Sequence, residues 1–278
     1  MDVMVWVSHA TLARQSEGRS PARLTWLVFV LQIGLIEALD AANDIVRGDL
    51  FPPSPGHAID NARQVVRFET AHGFFLEPGW YQFFQHTHHL LGLTLTHQIA
   101  VGIANNVYAF FHIGVPIVVA AWVYARHRAY FALFRNVLIA VGIVALVGYL
   151  VYPVAPPRLT TGLLVHGHAF QFHNTMPYPK GAFLVNGRPL GYNPYAAMPS
   201  LHIAWASFMS LTIFLLSRNP VSRAFAAVYP WIMLVAVVVT ANHYVLDGAG
   251  SLLTLAVAAP IAVAVTRITG GLPGPPLP

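Results

Sequence analysis

The sequence predicts an all-α polytopic membrane protein, a six-transmembrane-helix bundle with interfacial helices between the first two spans, and three observations carry that prediction. Hydrophobic residues make up 56% of the 278 and charged residues only 9%, against about 25% charged in an ordinary soluble domain. Apolar runs approaching the ~20 residues that cross a hydrocarbon core recur along the chain. Between those runs the arginines stand in small clusters, which is the pattern that orients a chain in a membrane and not the footprint of a nucleic-acid binder. The net charge of +5 therefore implies no nucleic-acid partner. The absence of cysteine removes a disulfide framework and a thiolate metal site.

The elements follow in order. Residues 1–23 read as a cytoplasmic tail carrying Arg14, Arg19 and Arg23. Met1 to Ala10 lacks the basic start, long apolar centre and small-residue cleavage site of a secretory leader. Residues 24–267 read as the six-helix membrane domain. Its first span runs from Leu24 to Leu39, continued to about Asn43. Glu37, Asp40 and Asp44 share one face near the outer end of that helix, either as an interfacial acid cluster pairing with Arg47, Arg63 or Arg67 or in a direct catalytic role. Residues 51–105 are too polar and too broken by proline to span. They read as extracytoplasmic interfacial helices: an amphipathic stretch from Ile59 to Phe75, then Glu77-Pro78-Gly79-Trp80 and an aromatic belt with His86, His88, His89 and His97. No carboxylate stands among these histidines at ligand spacing, so no metal is assigned.

Val107 to Ala125 spans next, and Arg126, Arg128 and Arg135 mark a cytoplasmic loop. Val137 to Tyr152 spans back and ends at Pro153, Pro156 and Pro157, which cannot continue a helix. Residues 153–197, rich in Gly, Pro, Asn, His and Tyr, form an extracytoplasmic loop that holds Arg158, Lys180 and Arg188. Met198 to about Leu216 is the fourth span, with Pro199 in its first turn. Arg218 and Arg223 follow on the cytoplasmic side, Val228 to Asn242 returns outward, and His243 to Val265 contains the last span. Residues 268–278 read as a disordered tail.

Asp247 is the only acid after Glu77. It stands four residues after His243, and on a helix such a pair shares a face, so the carboxylate can bond one ring nitrogen and leave the other for a substrate. That fits an activated nucleophile or base; it also fits a pair that merely satisfies two buried polar groups. His202 falls in the first turn of the fourth span, beside backbone donors and a helix dipole that favour an anion such as phosphate. The arginine pattern places Arg158, His202, His243 and Asp247 at the same, extracytoplasmic, helix ends.

The Pro-Ser-Xaa-His of Pro199 to His202, the His-Xaa-Xaa-Xaa-Asp of His243 to Asp247, and Arg158 after a proline-rich helix end resemble the type 2 phosphatidic acid phosphatase (PAP2) superfamily. Within it the chain is similar to the branch containing inositol phosphorylceramide synthase. The resemblance covers about residues 25 to 266. It implies a six-helix enzyme of a bacterial plasma membrane, both termini cytoplasmic, that cleaves a lipid phosphoester at the extracytoplasmic face without metal or other cofactor. Carried over, His243 is the nucleophile that forms a phosphohistidine, Asp247 orients it, His202 protonates the leaving oxygen, and Arg158 and Ser200 bind phosphate oxygens. The chain departs from the phosphatase pattern at Val151 and Leu159, where Lys and Pro are usual, and at Ala236 and Val237, where Ser-Arg is usual. Lys180 and Arg188 are candidates to replace the missing cations; each is also readable as an ordinary interfacial cation.

The implied partners are a lipid phosphate or diphosphate, membrane lipids, and an alcohol or polyol acceptor if the phosphoryl group is transferred instead of hydrolysed. A non-catalytic lipid-binding or transport protein of the same fold is the reading from another class.

Overall fold

The computed structural model describes residues 22–90, 93–165, 167–175, 184–185, 188–189 and 193–270. The expectations for most of the N-terminal tail, most of the C-terminal tail and Lys180 lie outside the described residues, and of Arg188 only the backbone is described. Nine α-helices are described: α1 (Ala22–Ile45), α2 (Pro55–Ala71), α3 (Glu77–Gln85), α4 (His97–Asn106), α5 (His112–Arg126), α6 (Phe131–Val151), α7 (Leu201–Leu216), α8 (Pro220–Val239) and α9 (Val245–Ile268). Three short antiparallel ribbons join them: β1 (His88–Leu90) with β2 (Leu93–Leu95), β3 (Leu163–Val165) with β4 (His168–Phe170), and β5 (Leu184–Val185) with β6 (Arg188–Pro189).

Five stretches of helix among the described residues are long and apolar enough to cross a membrane: Trp26–Leu50, His97–Arg126, Arg128–Val151, Pro220–Val239 and Val245–Ile268. The chain is accordingly a mostly helical polytopic membrane protein. The apolar helix α7, with 16 residues, is shorter than the ~20 that a bare span needs. It packs against α5, α6, α8 and α9, so protein rather than lipid surrounds much of it, and Ala204, Ala206 and Met209 are fully buried.

Several boundaries differ from those read in the sequence: α6 begins at Phe131 and not Val137, α8 at Pro220 and not Val228, and two further shifts bear on the site. The second long helix starts at His97 rather than Val107, because the Thr96 hydroxyl accepts from the Ile99 amide (3.3 Å) and caps α4, which then runs through a π-helical turn (Val107–Phe111) into α5. Hydrophobicity alone hides this, since His97 to Asn106 is polar enough to resemble an interfacial segment. Likewise α7 begins at Leu201, with Ser200 as its cap and Pro199 before the helix, not in its first turn.

Polar side chains stitch the helices together. Asn43 donates to the Gly142 carbonyl (2.9 Å), Arg47 to that of Tyr149 (2.8 Å), and Asn136 to the Thr266 hydroxyl (2.9 Å). A second apolar cluster, including Ala58, Ala62, Tyr81, Val154, Phe172, Ala197 and Tyr244, packs α2 and α3 over the end of the bundle where α6 and α8 stop and α7 and α9 start.

Candidate active site

Every sequence-predicted residue that the structure brings together lies at that end of the bundle. The chain leaves α8 through a Schellman turn: the Ala241 amide bonds the Val238 carbonyl (2.9 Å) and the Asn242 amide that of Val237 (3.0 Å). Such a turn needs a left-handed residue after the cap, and Ala241 takes it at φ 55°, fully buried. The Ala241 carbonyl accepts from the Arg158 amide (3.2 Å), which pins the turn to the short 3-10 helix Pro157–Leu159.

His243 therefore precedes α9 instead of sitting on it, which corrects the premise that it shares a helix face with Asp247. The two still meet, by a capping geometry. Asp247 is the third residue of α9, and its Oδ2 accepts from the amide of the cap residue Tyr244 (2.8 Å) while lying 3.3 Å from His243 Nδ1. A nearer partner of that nitrogen is the Ala197 carbonyl oxygen, at 2.7 Å. A carbonyl only accepts, so Nδ1 carries a proton, and in the neutral tautomer of the ring the lone pair is then on Nε2. Ala197 is itself held by a parallel bridge between Val154 and Ala196, with its amide on the Val154 carbonyl (3.2 Å).

His202, second residue of α7, faces His243 with ring centroids 5.7 Å apart. Its imidazole is sandwiched between Tyr108 (4.1 Å) and His112 (4.0 Å), and His112 stacks in turn on Trp205 (4.8 Å). Tyr108 lies on the π-helical turn and His112 directly follows it. Such turns recur at functional sites because they re-aim side chains. Ser251 Oγ lies 2.7 Å from the carbonyl oxygens of both Ser200 and Asp247, tying the starts of α7 and α9 together.

Tyr108, His112, His202 and His243 line a cavity of about 290 Å³ together with Asn43, Asp44, Tyr149, Arg158, Asn193 and Asn242. Arg158 donates through Nη1 to Asn242 Oδ1, one residue from His243. Ser200 is fully buried and its Oγ caps the Ile203 amide (3.5 Å); it does not line the cavity. Asp44, but not Glu37, is among the lining residues. Arg47 donates to the carbonyls of Tyr149 and Phe51, and Arg63 pairs with Asp60.

Several site residues escaped the sequence reading. Glu69 of α2 and Glu77 of α3 are fully buried and cap α9: Glu69 Oε1 accepts from the Leu246 amide (2.7 Å) and Glu77 Oε1 from the Val245 amide (2.6 Å). Burial, the proximity of the other glutamate and Asp247 push the Glu69 carboxyl well above the usual carboxylate range, and burial first of all pushes Glu77 up as well. A signal for Glu69 was present, since it continues the Ala58, Ala62, Val65, Val66 face at helical spacing. His112 was an ionisable residue inside an apolar run, which by itself marks a functional candidate.

A family model for the PAP2 superfamily matches residues 63–261. No curated protein and no solved structure matches the chain.

Proposed function

The chain belongs to the PAP2 superfamily, whose activity is of a phosphatase type related to lipids, and from that premise we propose that it cleaves a lipid phosphoester through a phosphohistidine on His243. The observation that carries the reading is the pairing of His243 Nδ1 with the Ala197 carbonyl, which leaves Nε2 as a lone pair toward the cavity shared with His202 and Arg158. In the first step the Nε2 lone pair attacks phosphorus and the bond from phosphorus to the lipid oxygen breaks. His202 gives that oxygen its proton, and an anionic phosphoester between His202 and Arg158 favours the protonated imidazole that this requires. Arg158 takes charge from the phosphoryl oxygens, and Asp247 holds the turn that carries the nucleophile. In the second step His202 removes a proton from water or an alcohol, whose oxygen attacks phosphorus, and the P–N bond breaks to restore His243. No step in this scheme needs a metal.

The same reading includes six spans, with α7 the one sheltered by its neighbours, and an extracytoplasmic site in a multi-pass membrane protein with both termini inside, on the strength of the arginine clusters. Lys180 and Arg188 remain proposed cations of the outer loop, and Ser200 a proposed phosphate contact that would have to leave its capping bond.

A specific feature favours transfer to an alcohol, as in the inositol phosphorylceramide synthase-like branch. Asn43, Asp44, Asn193 and Asn242 line the cavity, and such amides and carboxylates suit the hydroxyls of a polyol better than they suit a second anion. Incubating the purified chain with a labelled lipid phosphate, with and without polyols, separates the outcomes. Labelled phosphoalcohol supports transfer, and free phosphate unaffected by any acceptor removes it. A lipid carrier of the same fold would bind without turnover, and His243→Ala would leave that binding intact.

A further inference from the structure

The first turn of α9 offers backbone N–H groups at the foot of the candidate site, and carboxyl groups occupy three of them: Tyr244 bonds Asp247, Val245 bonds Glu77 and Leu246 bonds Glu69. The two glutamates arrive from different helices, α2 and α3, and are shielded from solvent. Each uses Oε1 on the helix, while Oε2 of each meets no N–H or O–H donor from any other described residue. Because they accept from the adjacent amides of Leu246 and Val245, the two buried carboxyls sit side by side, each with an unpartnered Oε2. Two neighbouring carboxylates in a dry site cannot both readily stay ionised, and a hydrogen bond between their free oxygens needs one of them to hold a proton. No Lys or Arg pairs with either glutamate among the described residues. The other titratable groups facing them are Asp247 and the Tyr244 phenol, which is bonded to the Thr160 hydroxyl (2.7 Å).

We propose that Glu69 and Glu77 are positioning residues: a carboxyl pair sharing one proton that clamps α2 and α3 onto the first turn of α9 and so sets the place of His243 and Asp247. The inference rests on the proposed roles of His243 and Asp247 for its kinetic consequence, but not for the clamp itself. One shared proton leaves a single negative charge on the pair, which the α9 amides and dipole favour. A second would face both its twin and Asp247.

Both carboxyls are raised above the ordinary carboxylate value of about 4.5, so below that value folded and unfolded chains are both protonated and the pair's contribution to stability is fully present. As pH rises, the unfolded chain releases these protons first and stability falls until the raised values of the pair are passed. Glu69→Gln replaces the shared proton by a permanent amide donor to Glu77 while its carbonyl still accepts from Leu246.

The test uses the full chain in detergent micelles, as wild type, Glu69→Gln and Glu69→Ala, with a short-chain phosphatidate as substrate. Three things are read against pH: the thermal midpoint, kcat and KM separately, and the infrared carbonyl band of a protonated buried carboxyl. The clamp predicts that Glu69→Gln keeps most of kcat at neutral pH, loses the protonated-carboxyl band, and moves the alkaline decline of both midpoint and kcat to higher pH. Glu69→Ala loses about 10- to 100-fold in kcat at little-changed KM, as removal of a supporting hydrogen-bond partner does. A Glu69→Gln profile that declines with the wild type, or an alanine variant with wild-type kcat, overturns the proposal. If no form turns over phosphatidate or another lipid phosphate, the proposed function fails, and the midpoint profile and the infrared band still decide the clamp. If the alanine variant does not fold, the comparison of glutamine with wild type decides it.

Discussion

His243 Nδ1 lies closer to the Ala197 carbonyl oxygen, at 2.7 Å, than to the Asp247 carboxylate, at 3.3 Å. The backbone therefore shares in fixing the tautomer of the proposed nucleophile, and Asp247 acts as much on the turn as on the ring. Asp247→Asn keeps an oxygen to accept from the Tyr244 amide, so it is expected to lower kcat by about 10- to 100-fold with KM little changed. His243→Gln removes the nucleophile and is expected to leave no turnover above background. Steady-state kinetics on a lipid phosphate separate the two; equal losses would mean that Asp247 does more than orient.

His202 is placed to protonate the leaving oxygen, so its removal should hurt in proportion to how much the leaving group needs a proton. His202→Ala is expected to lower kcat by about 10²- to 10⁴-fold on an alkyl phosphoester and much less on an activated aryl phosphate. Comparing the two substrates in wild type and variant checks this. A loss of the same size on both would assign His202 to binding.

The sandwich around His202 holds the ring from two sides, with Tyr108 at 4.1 Å and His112 at 4.0 Å. Aromatic contacts of this kind contribute about 0.5–1.5 kcal/mol beyond buried area. Tyr108→Ala frees one face and is expected to lower kcat on the alkyl ester by about tenfold, while Tyr108→Phe stays near wild type. A large defect in Tyr108→Phe would instead give the phenol hydroxyl a chemical part.

Arg158 is bonded to Asn242 next to the nucleophile. Arg158→Ala is expected to raise KM and lower kcat together, because the phosphoryl oxygens carry charge in both ground and transition states. Arg158→Lys should restore little, since a point charge does not reproduce the guanidinium fork. Full rescue by lysine would reduce Arg158 to a general electrostatic role.

Gly148 of α6 lets the segment before α7 approach: a Cβ there would stand 2.8 Å from Pro199 Cδ. The ring cannot swing away as a flexible chain end could, and the Pro199 carbonyl is also held by the Tyr149 hydroxyl (2.9 Å). Gly148→Ala is expected to destabilise the protein by about 1–3 kcal/mol, as overpacking does, and to lower kcat through His202. Thermal unfolding in detergent beside kinetics checks both. An unchanged melting midpoint would show that the segment gives way freely.

The membrane class and most of the long helices were legible in the sequence because apolar runs and arginine clusters are local patterns. The gathering of Arg158, His202, His243 and Asp247 was legible for the same reason, through the helix ends they share. Reasoning along one helix missed how Asp247 reaches His243, because the helix begins only at Val245 and a capping contact at short sequence separation imitates a helical face. Glu69 and Glu77 lie 177 and 168 residues from the amides they accept from, and no local pattern encodes such a pairing. Tyr108 and His112 were hidden inside a run read only for its length, since a π-helical turn has no simple signature in hydrophobic periodicity.

In the proposed mechanism His243 carries the phosphoryl group between donor and acceptor. Rapid-quench mixing of the purified chain with a phosphorus-labelled lipid phosphate, followed by mapping of the label under alkaline conditions that preserve phosphoimidazole, tests it directly. Acid-labile label is expected on His243, forming and decaying at least as fast as turnover and absent from His243→Gln. Label on His202, or full turnover with no label on any histidine, would contradict it.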